Sequence, residues 1–123
     1  MIQLDTSVLI DCLTAKRRSE PQLTRFIAEN NRVQISAIVL FEWRRGPRTP
    51  EEIDDQEAIF PADQILPFGP IEAMTAADLY RQVRRPRGRE IDLAIAACAL
   101  TQKATLWTLN PQDFKDIPGL TLI

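Results

Sequence analysis

The chain has 123 residues, of which 45% are hydrophobic, and its 15 basic and 17 acidic side chains give a net charge of −2. These values suit one folded domain with a single core, and no apolar run approaches the roughly 20 residues of a membrane-spanning helix. The sequence contains no histidine, which excludes Ser-His-Asp and Cys-His catalysis and His-ligated zinc. The N-terminus lacks a signal-peptide pattern, so we expect a cytoplasmic protein with no membrane partner.

Short strand-like segments alternate with helical ones along the whole chain. The predicted strands are 2–4, 33–35, 105–108 and 120–123, with 65–68 as an edge strand because it contains a proline. The predicted helices are 6–15, 21–30, 37–45, 49–60, 70–83 and 90–101, and 111–114 forms a single helical turn. This alternation indicates one α/β domain over residues 1–123, with a mostly parallel central sheet flanked by helices.

Several acidic residues stand where a parallel sheet forms its binding sites, near the carboxyl ends of strands. Asp5 directly follows the first strand, and Asp113 follows the strand at 105–108. Asp92 begins a strongly apolar helix, and Glu42 shares a helix face with apolar residues. Each has an ordinary explanation when taken alone, such as helix capping, a turn or a surface position. Together, oxygen ligands without histidine favour Mg²⁺ or Mn²⁺, which would suit phosphoryl chemistry.

The basic residues are mostly arginine and fall in groups. Twelve of the fifteen are Arg, five of them within Arg81–Arg89, and a second group contains Arg44, Arg45 and Arg48. Guanidinium groups suit phosphate oxygens better than ammonium groups do. A solvated charged surface is the simpler explanation for either group alone.

Four segments carry a resemblance to a known family, in order and across nearly the whole chain. They read LDTSVLI at 4–10, ISAIVLFE at 35–42, DLAIAACAL at 92–100 and TLNPQDF at 108–114. Together they resemble the PIN-domain ribonucleases, and most closely the VapC toxins of type II toxin–antitoxin pairs. The fold expected from the resemblance is a single PIN-like domain.

The resemblance implies a metal-dependent endoribonuclease in which a water activated by Mg²⁺ or Mn²⁺ cleaves RNA phosphodiester bonds. The implied metal-binding acids are Asp5, Glu42, Asp92 and Asp113, and the supporting residues are Thr6, Thr108 and Asn110. Some relatives carry an acid where this chain has Asn110, so we assign the fourth acidic position to Asp113. The number of metal ions stays open. The residues expected to contact RNA are Arg44, Arg45, Arg87 and Arg89.

The resemblance also implies partners. VapC-like toxins form homodimers and are bound by a small antitoxin protein that covers the active-site groove. The alternative is a non-catalytic PIN-like module that binds RNA or protein without cutting. Only the amide at Asn110 favours that alternative, and the retained acids count against it.

Overall fold

Four short strands form one parallel sheet in the computed structural model, which describes residues 1–123. The strands are β1 (Ile2–Leu4), β2 (Val33–Gln34), β3 (Thr105–Trp107) and β4 (Thr121–Leu122), in the order β2-β1-β3-β4 with every neighbouring pair parallel. The helices are α1 (Thr6–Leu13), α2 (Glu20–Ala28), α3 (Ala37–Arg45), α4 (Pro50–Ile59), α5 (Pro70–Gln82) and α6 (Glu90–Thr101). The predicted α/β class with a parallel sheet is confirmed.

The helices begin where the sequence supplies capping groups. The Ser36 side chain accepts a hydrogen bond from the Val39 backbone N–H at the start of α3. Thr49 and Glu52 form a reciprocal capping box at the start of α4. Such caps satisfy backbone donors that have no partner within the helix, and each stabilises its helix by about 1 kcal/mol.

The structure corrects several predicted boundaries. Helix α1 ends at Leu13 rather than near residue 15, because Ala15 and Arg17 adopt positive φ angles of 52° and 50°. The predicted edge strand at 65–68 is reduced to a single bridge between Ser36 and Leu66. Pro67 follows that bridge and has no N–H to continue a ladder of hydrogen bonds.

Helix α6 is the central packing element. Its residues 93–99 are all buried, on every side of the helix, as expected for a helix that is apolar all round. The buried Gln3 amide of β1 donates a hydrogen bond to the Cys98 carbonyl (3.0 Å), which links the helix to the sheet. No helix in the structure combines the length and apolarity that crossing a membrane requires.

The strand order reverses between β1 and β3. The chain passes from β1 to β2 on one side of the sheet, then crosses to β3 and β4 on the other side. A parallel sheet opens a crevice at such a point, outside the carboxyl ends of its strands. Asp5 and Thr108 directly follow the two strands concerned, so the fold brings them together.

We predict that Ala97→Leu in α6 lowers the free energy of unfolding by about 1–3 kcal/mol, because a fully buried alanine leaves no room for a larger side chain. Urea denaturation measures the change. The matched control is Ala77→Leu, at an exposed position of α5. An equal loss of stability in both variants would contradict the central placement of α6.

Candidate active site

The buried carboxylate of Asp5 occupies the crevice between β1 and β3. Its Oδ1 accepts a hydrogen bond from the Thr6 backbone N–H (2.8 Å), so Asp5 also caps α1. Its Oδ2 accepts from the hydroxyls of Ser7 (3.0 Å) and Thr108 (2.8 Å). The backbone N–H of Asp5 donates to the Trp107 carbonyl (2.9 Å). The carboxylate is therefore buried, but it is well supplied with hydrogen-bond donors.

Thr6 connects Asp5 to the acid on α3. Its hydroxyl donates to Oε1 of Glu42 at 2.6 Å, although the two residues lie 36 positions apart. The other oxygen of Glu42 accepts from the Arg45 guanidinium at 3.0 Å. The Glu42 side chain is only 17% exposed, so these two contacts hold its carboxylate in one orientation.

Asp92 lies in the first turn of α6 and is surrounded by negative charge. Burial, and after it the charges of Asp5, Asp113 and Glu42, raise its pKa from the ordinary 3.8 to about 6. Arg89 opposes the shift. The four predicted acids therefore lie close enough to interact electrostatically, and we call them the acidic cluster.

The remaining predicted residues follow β3. The Thr108 hydroxyl, besides contacting Asp5, accepts a hydrogen bond from the Asn110 backbone N–H (3.0 Å). Asn110 and Asp113 have exposed side chains; Asn110 precedes a short 3-10 turn at Pro111–Asp113, and Asp113 is the last residue of that turn. Neither side chain makes a hydrogen bond, so both are free to meet a ligand.

The predicted arginines differ in their surroundings. Arg44 pairs with Glu57 (2.6 Å), and Arg45 pairs with Glu42 while its guanidinium lies 5.3 Å from the centre of the Phe41 ring. Arg89 makes two hydrogen bonds to Asp116 and one to the Asp113 carbonyl. Arg87 is exposed and has no acidic partner.

Oxygen donors dominate the acidic cluster, and its charge repulsion is of the kind that a bound cation would relieve. As the side chains stand, no three acidic or thiol groups have an arrangement that could hold a metal ion. Asp5 and Glu42 accept hydrogen bonds from Thr6, Ser7, Thr108 and Arg45, and each carboxylate keeps lone pairs that these bonds do not use. The donor chemistry fits Mg²⁺ or Mn²⁺, and the metal assignment remains a prediction.

Two residues at the site were not among the site residues predicted from the sequence. Ser7 donates to Asp5 and accepts from the Leu109 backbone N–H (3.2 Å), which joins α1 to the segment after β3. The Asp116 carboxylate accepts two hydrogen bonds from the Arg89 guanidinium. Ser7 lies in the LDTSVLI segment, which was a usable signal. Asp116 had no local signal.

Fold and site together define a class: small parallel α/β domains with carboxylates at the point where the strand order reverses. The PIN domain model matches residues 2–120, and the chain belongs to the PIN domain family. The resemblance carried by the four sequence segments is thereby confirmed.

The relatives agree with this assignment. Ribonuclease VapC1 of Rickettsia felis is 48% identical over 63 residues, a match that covers 48% of this chain and less than half (46%) of that protein. Ribonuclease VapC2 of the same organism is 29% identical over 126 residues, covering 97% of this chain and 93% of the relative.

Solved structures match over the full chain. The crystal structure of VapBC2 from Rickettsia felis, bound to a DNA fragment from its promoter, has a TM-score of 0.80 at 27% identity and covers 100% of this chain and 98% of its counterpart. FitAcB from Neisseria gonorrhoeae shares the fold, with a TM-score of 0.74 at 24% identity and coverage of 100% and 96%.

We predict that Thr6→Val weakens Mn²⁺ binding about tenfold, because the variant keeps the shape of the side chain but loses the hydrogen bond that orients Glu42. Calorimetry with Mn²⁺ alone measures the affinity. Thr6→Ser, which retains the hydroxyl, should bind like the wild type, and the exposed Thr24→Val on α2 serves as a surface control. Equal affinities for Thr6→Val and wild type would contradict this role.

Asp92→Asn should stabilise the metal-free protein at pH 8 by on the order of 1 kcal/mol, less than the full pKa shift implies because Asp92 is partly exposed. The folded-state pKa of about 6 lies above the ordinary 3.8, so the protonated form favours folding. The stabilisation from that proton is complete below pH 3.8 and is lost as the pH rises through 6. At pH 8 the ionised Asp92 carboxylate destabilises the folded protein, and the neutral Asn side chain removes this cost.

Thermal unfolding in EDTA at pH 8 and pH 4 measures this difference. The variant should be more stable than wild type at pH 8, with the advantage shrinking at pH 4. Glu90→Gln, at an exposed position in the same helical turn, should bring no gain. A melting temperature for Asp92→Asn at or below that of wild type at pH 8 would contradict a cost of the ionised Asp92 carboxylate in the folded protein.

Proposed function

We propose that this chain is a metal-dependent endoribonuclease, the toxin of a VapB–VapC type toxin–antitoxin pair. The observation that carries the proposal is the buried Asp5 carboxylate at the reversal of strand order, with Glu42 and Asp92 beside it. The membership of this chain in the PIN domain family supports the same chemistry, and so do the relatives named Ribonuclease VapC1 and VapC2.

The residues that would hold Mg²⁺ or Mn²⁺ are Asp5, Glu42, Asp92 and Asp113. The ion, when bound, supplies Lewis acidity that lowers the pKa of a water and stabilises negative charge on a phosphodiester. The protein fixes the ligands in advance: Thr108 and Ser7 hold Asp5, and Thr6 holds Glu42. Asp92 must be ionised to bind a cation, so binding would release a proton near pH 6.

Contact with the RNA backbone is assigned first to Arg87, which is exposed and unpaired in the segment before α6. Arg84 and Arg85 in the same segment are also exposed and form no ion pair. Arg44 and Arg45 remain candidates, because an exposed ion pair is worth little and can exchange its carboxylate for a phosphate. Arg89 is the least available of the four predicted arginines.

An antitoxin partner is supported by the neighbouring structures, which include the VapBC2 complex of Rickettsia felis. This chain also has a groove of about 320 Å³, separate from the acidic cluster, whose apolar side chains come from α1, α2 and α4, among them Leu13, Leu23 and Ile59. Exposed Ile71 and Met74, one turn apart on α5, support a homodimer. A cytoplasmic location completes the proposal.

The wild-type protein, freed of any antitoxin, should cut total bacterial RNA in Mn²⁺ and should not cut it in EDTA. Asp5→Asn and Asp92→Asn should each slow cleavage by about a hundredfold or more, because each removes a charged ligand. Asp78→Asn is the matched control, since Asp78 is an exposed acid on α5 that pairs with Arg81.

Gel analysis of the RNA and filter binding in EDTA separate the two candidate functions. Absence of cleavage with every divalent metal, together with RNA binding that is unchanged in Asp92→Asn, would favour the non-catalytic module. Cleavage that persists in EDTA would contradict the role assigned to the acidic cluster.

A further inference from the structure

An ionic contact near the acidic cluster joins two segments that are far apart in sequence. Arg89 Nη1 donates to Asp116 Oδ2 (2.9 Å), and Nη2 donates to Asp116 Oδ1 (2.7 Å) and to the Asp113 carbonyl (3.0 Å). Both oxygens of Asp116 are engaged, the two-pronged geometry for which guanidinium is suited. The Arg89 side chain is 21% exposed, less than any other arginine in an ion pair of this chain.

This contact links the start of α6 to the segment after β3, and each of these two parts carries an acid of the acidic cluster. Arg89 is the N-cap residue of α6, three positions before Asp92. Its acceptors lie in the segment 108–116, which carries Thr108, Asn110 and Asp113. The segment has only one turn of 3-10 helix, and the carboxylate of Asp113 has no hydrogen bond of its own. The position of Asp113 relative to Asp92 therefore depends on how its backbone is held.

Within the segment, the Asp113 backbone N–H donates to the Asn110 carbonyl (3.0 Å), a contact that does not link Asp113 to α6. Phe114 and Ile117 are buried in the core and anchor the chain just after Asp113. Ser7 holds Leu109 at the near end. The Arg89 side chain is the only group that reaches the Asp113 carbonyl from another element.

We propose that Arg89 is a positioning residue that acts with Asp116 as a latch, holding the backbone at Asp113 so that the fourth carboxylate stays beside Asp92. This inference rests on the proposed function, because it assigns Asp113 to a metal site. It also revises the expectation that Arg89 binds RNA: a guanidinium that already makes three hydrogen bonds has little capacity left for a phosphate.

Variants of both latch residues separate positioning from RNA contact and from simple charge compensation. The set is Arg89→Ala, Asp116→Ala, the double variant and Arg89→Lys, with Arg25→Ala as the control because Arg25 forms an exposed ion pair with Glu29 on α2. Calorimetry with Mn²⁺ alone gives the affinity, and thermal unfolding shows that each variant is folded. Amide hydrogen exchange reports on residues 113–117, where the N–H groups of residues 113, 114, 115 and 117 donate to carbonyls of residues 110–114.

Both single alanine variants should weaken Mn²⁺ binding about tenfold, and the double variant should be no weaker than either, because both residues act through one contact. Arg89→Lys should behave like Arg89→Ala, since an ammonium keeps the charge but cannot form the fork. Exchange at 113–117 should accelerate in all four variants, while the buried amides of α6 stay protected.

Three results would overturn the latch. Exchange at 113–117 equal to wild type in Asp116→Ala would show that the contact holds nothing. Full Mn²⁺ affinity in Arg89→Lys would show that only charge matters. Weaker binding of a fluorescent single-stranded RNA in EDTA for Arg89→Ala, but not for Asp116→Ala, would make Arg89 an RNA contact. Failure of the wild type to bind Mn²⁺ would instead count against the proposed function, while the exchange data still decide on the latch.

Discussion

Everything at the site depends on one buried charge. Asp5 carries its carboxylate between the two central strands, where an unsatisfied charge would cost several kcal/mol. A backbone N–H from α1 and hydroxyls from Ser7 and Thr108 satisfy it. These donors come from both sides of the reversal in strand order, so stabilising the charge also fixes how α1 and β3 meet.

The other carboxylates of the acidic cluster repel one another. The Asp92 carboxylate lacks the hydrogen-bond donors that Asp5 has, and its pKa is raised first by burial and then by the negative charges around it. Arg45 and Arg89 lie at the margins and offset part of that charge through Glu42 and through the field at Asp92. Carboxylates that repel one another and still share one crevice form a site suited to an added cation.

The sequence predicted those features that depend on interactions between residues close together in the chain. The apolar run in α6, the cap at Asp5 and the alternation of strands and helices all involve neighbouring residues, and the structure has them. The contacts missed are distant ones: Ser7 with Leu109 across 102 positions, and Arg89 with Asp116 across 27. Spacing within a helix or strand carries no information on such pairs. The failed edge strand at 65–68 shows that local propensity needs a partner strand to pair along its length.

The arginines are alike in the composition, but the fold pairs some of them with acids and leaves others unpaired. Of the five within Arg81–Arg89, Arg81 and Arg89 are bound to aspartates, whereas the other three form no ion pair. Those three, Arg84, Arg85 and Arg87, lie in the exposed segment that leads into α6 and therefore towards Asp92. A polyanion approaching a chain of net charge −2 responds to the local field, not to the total. Under the proposed function, these three arginines are the positive groups available to an RNA backbone, and the acids would need a cation before a phosphate could approach them.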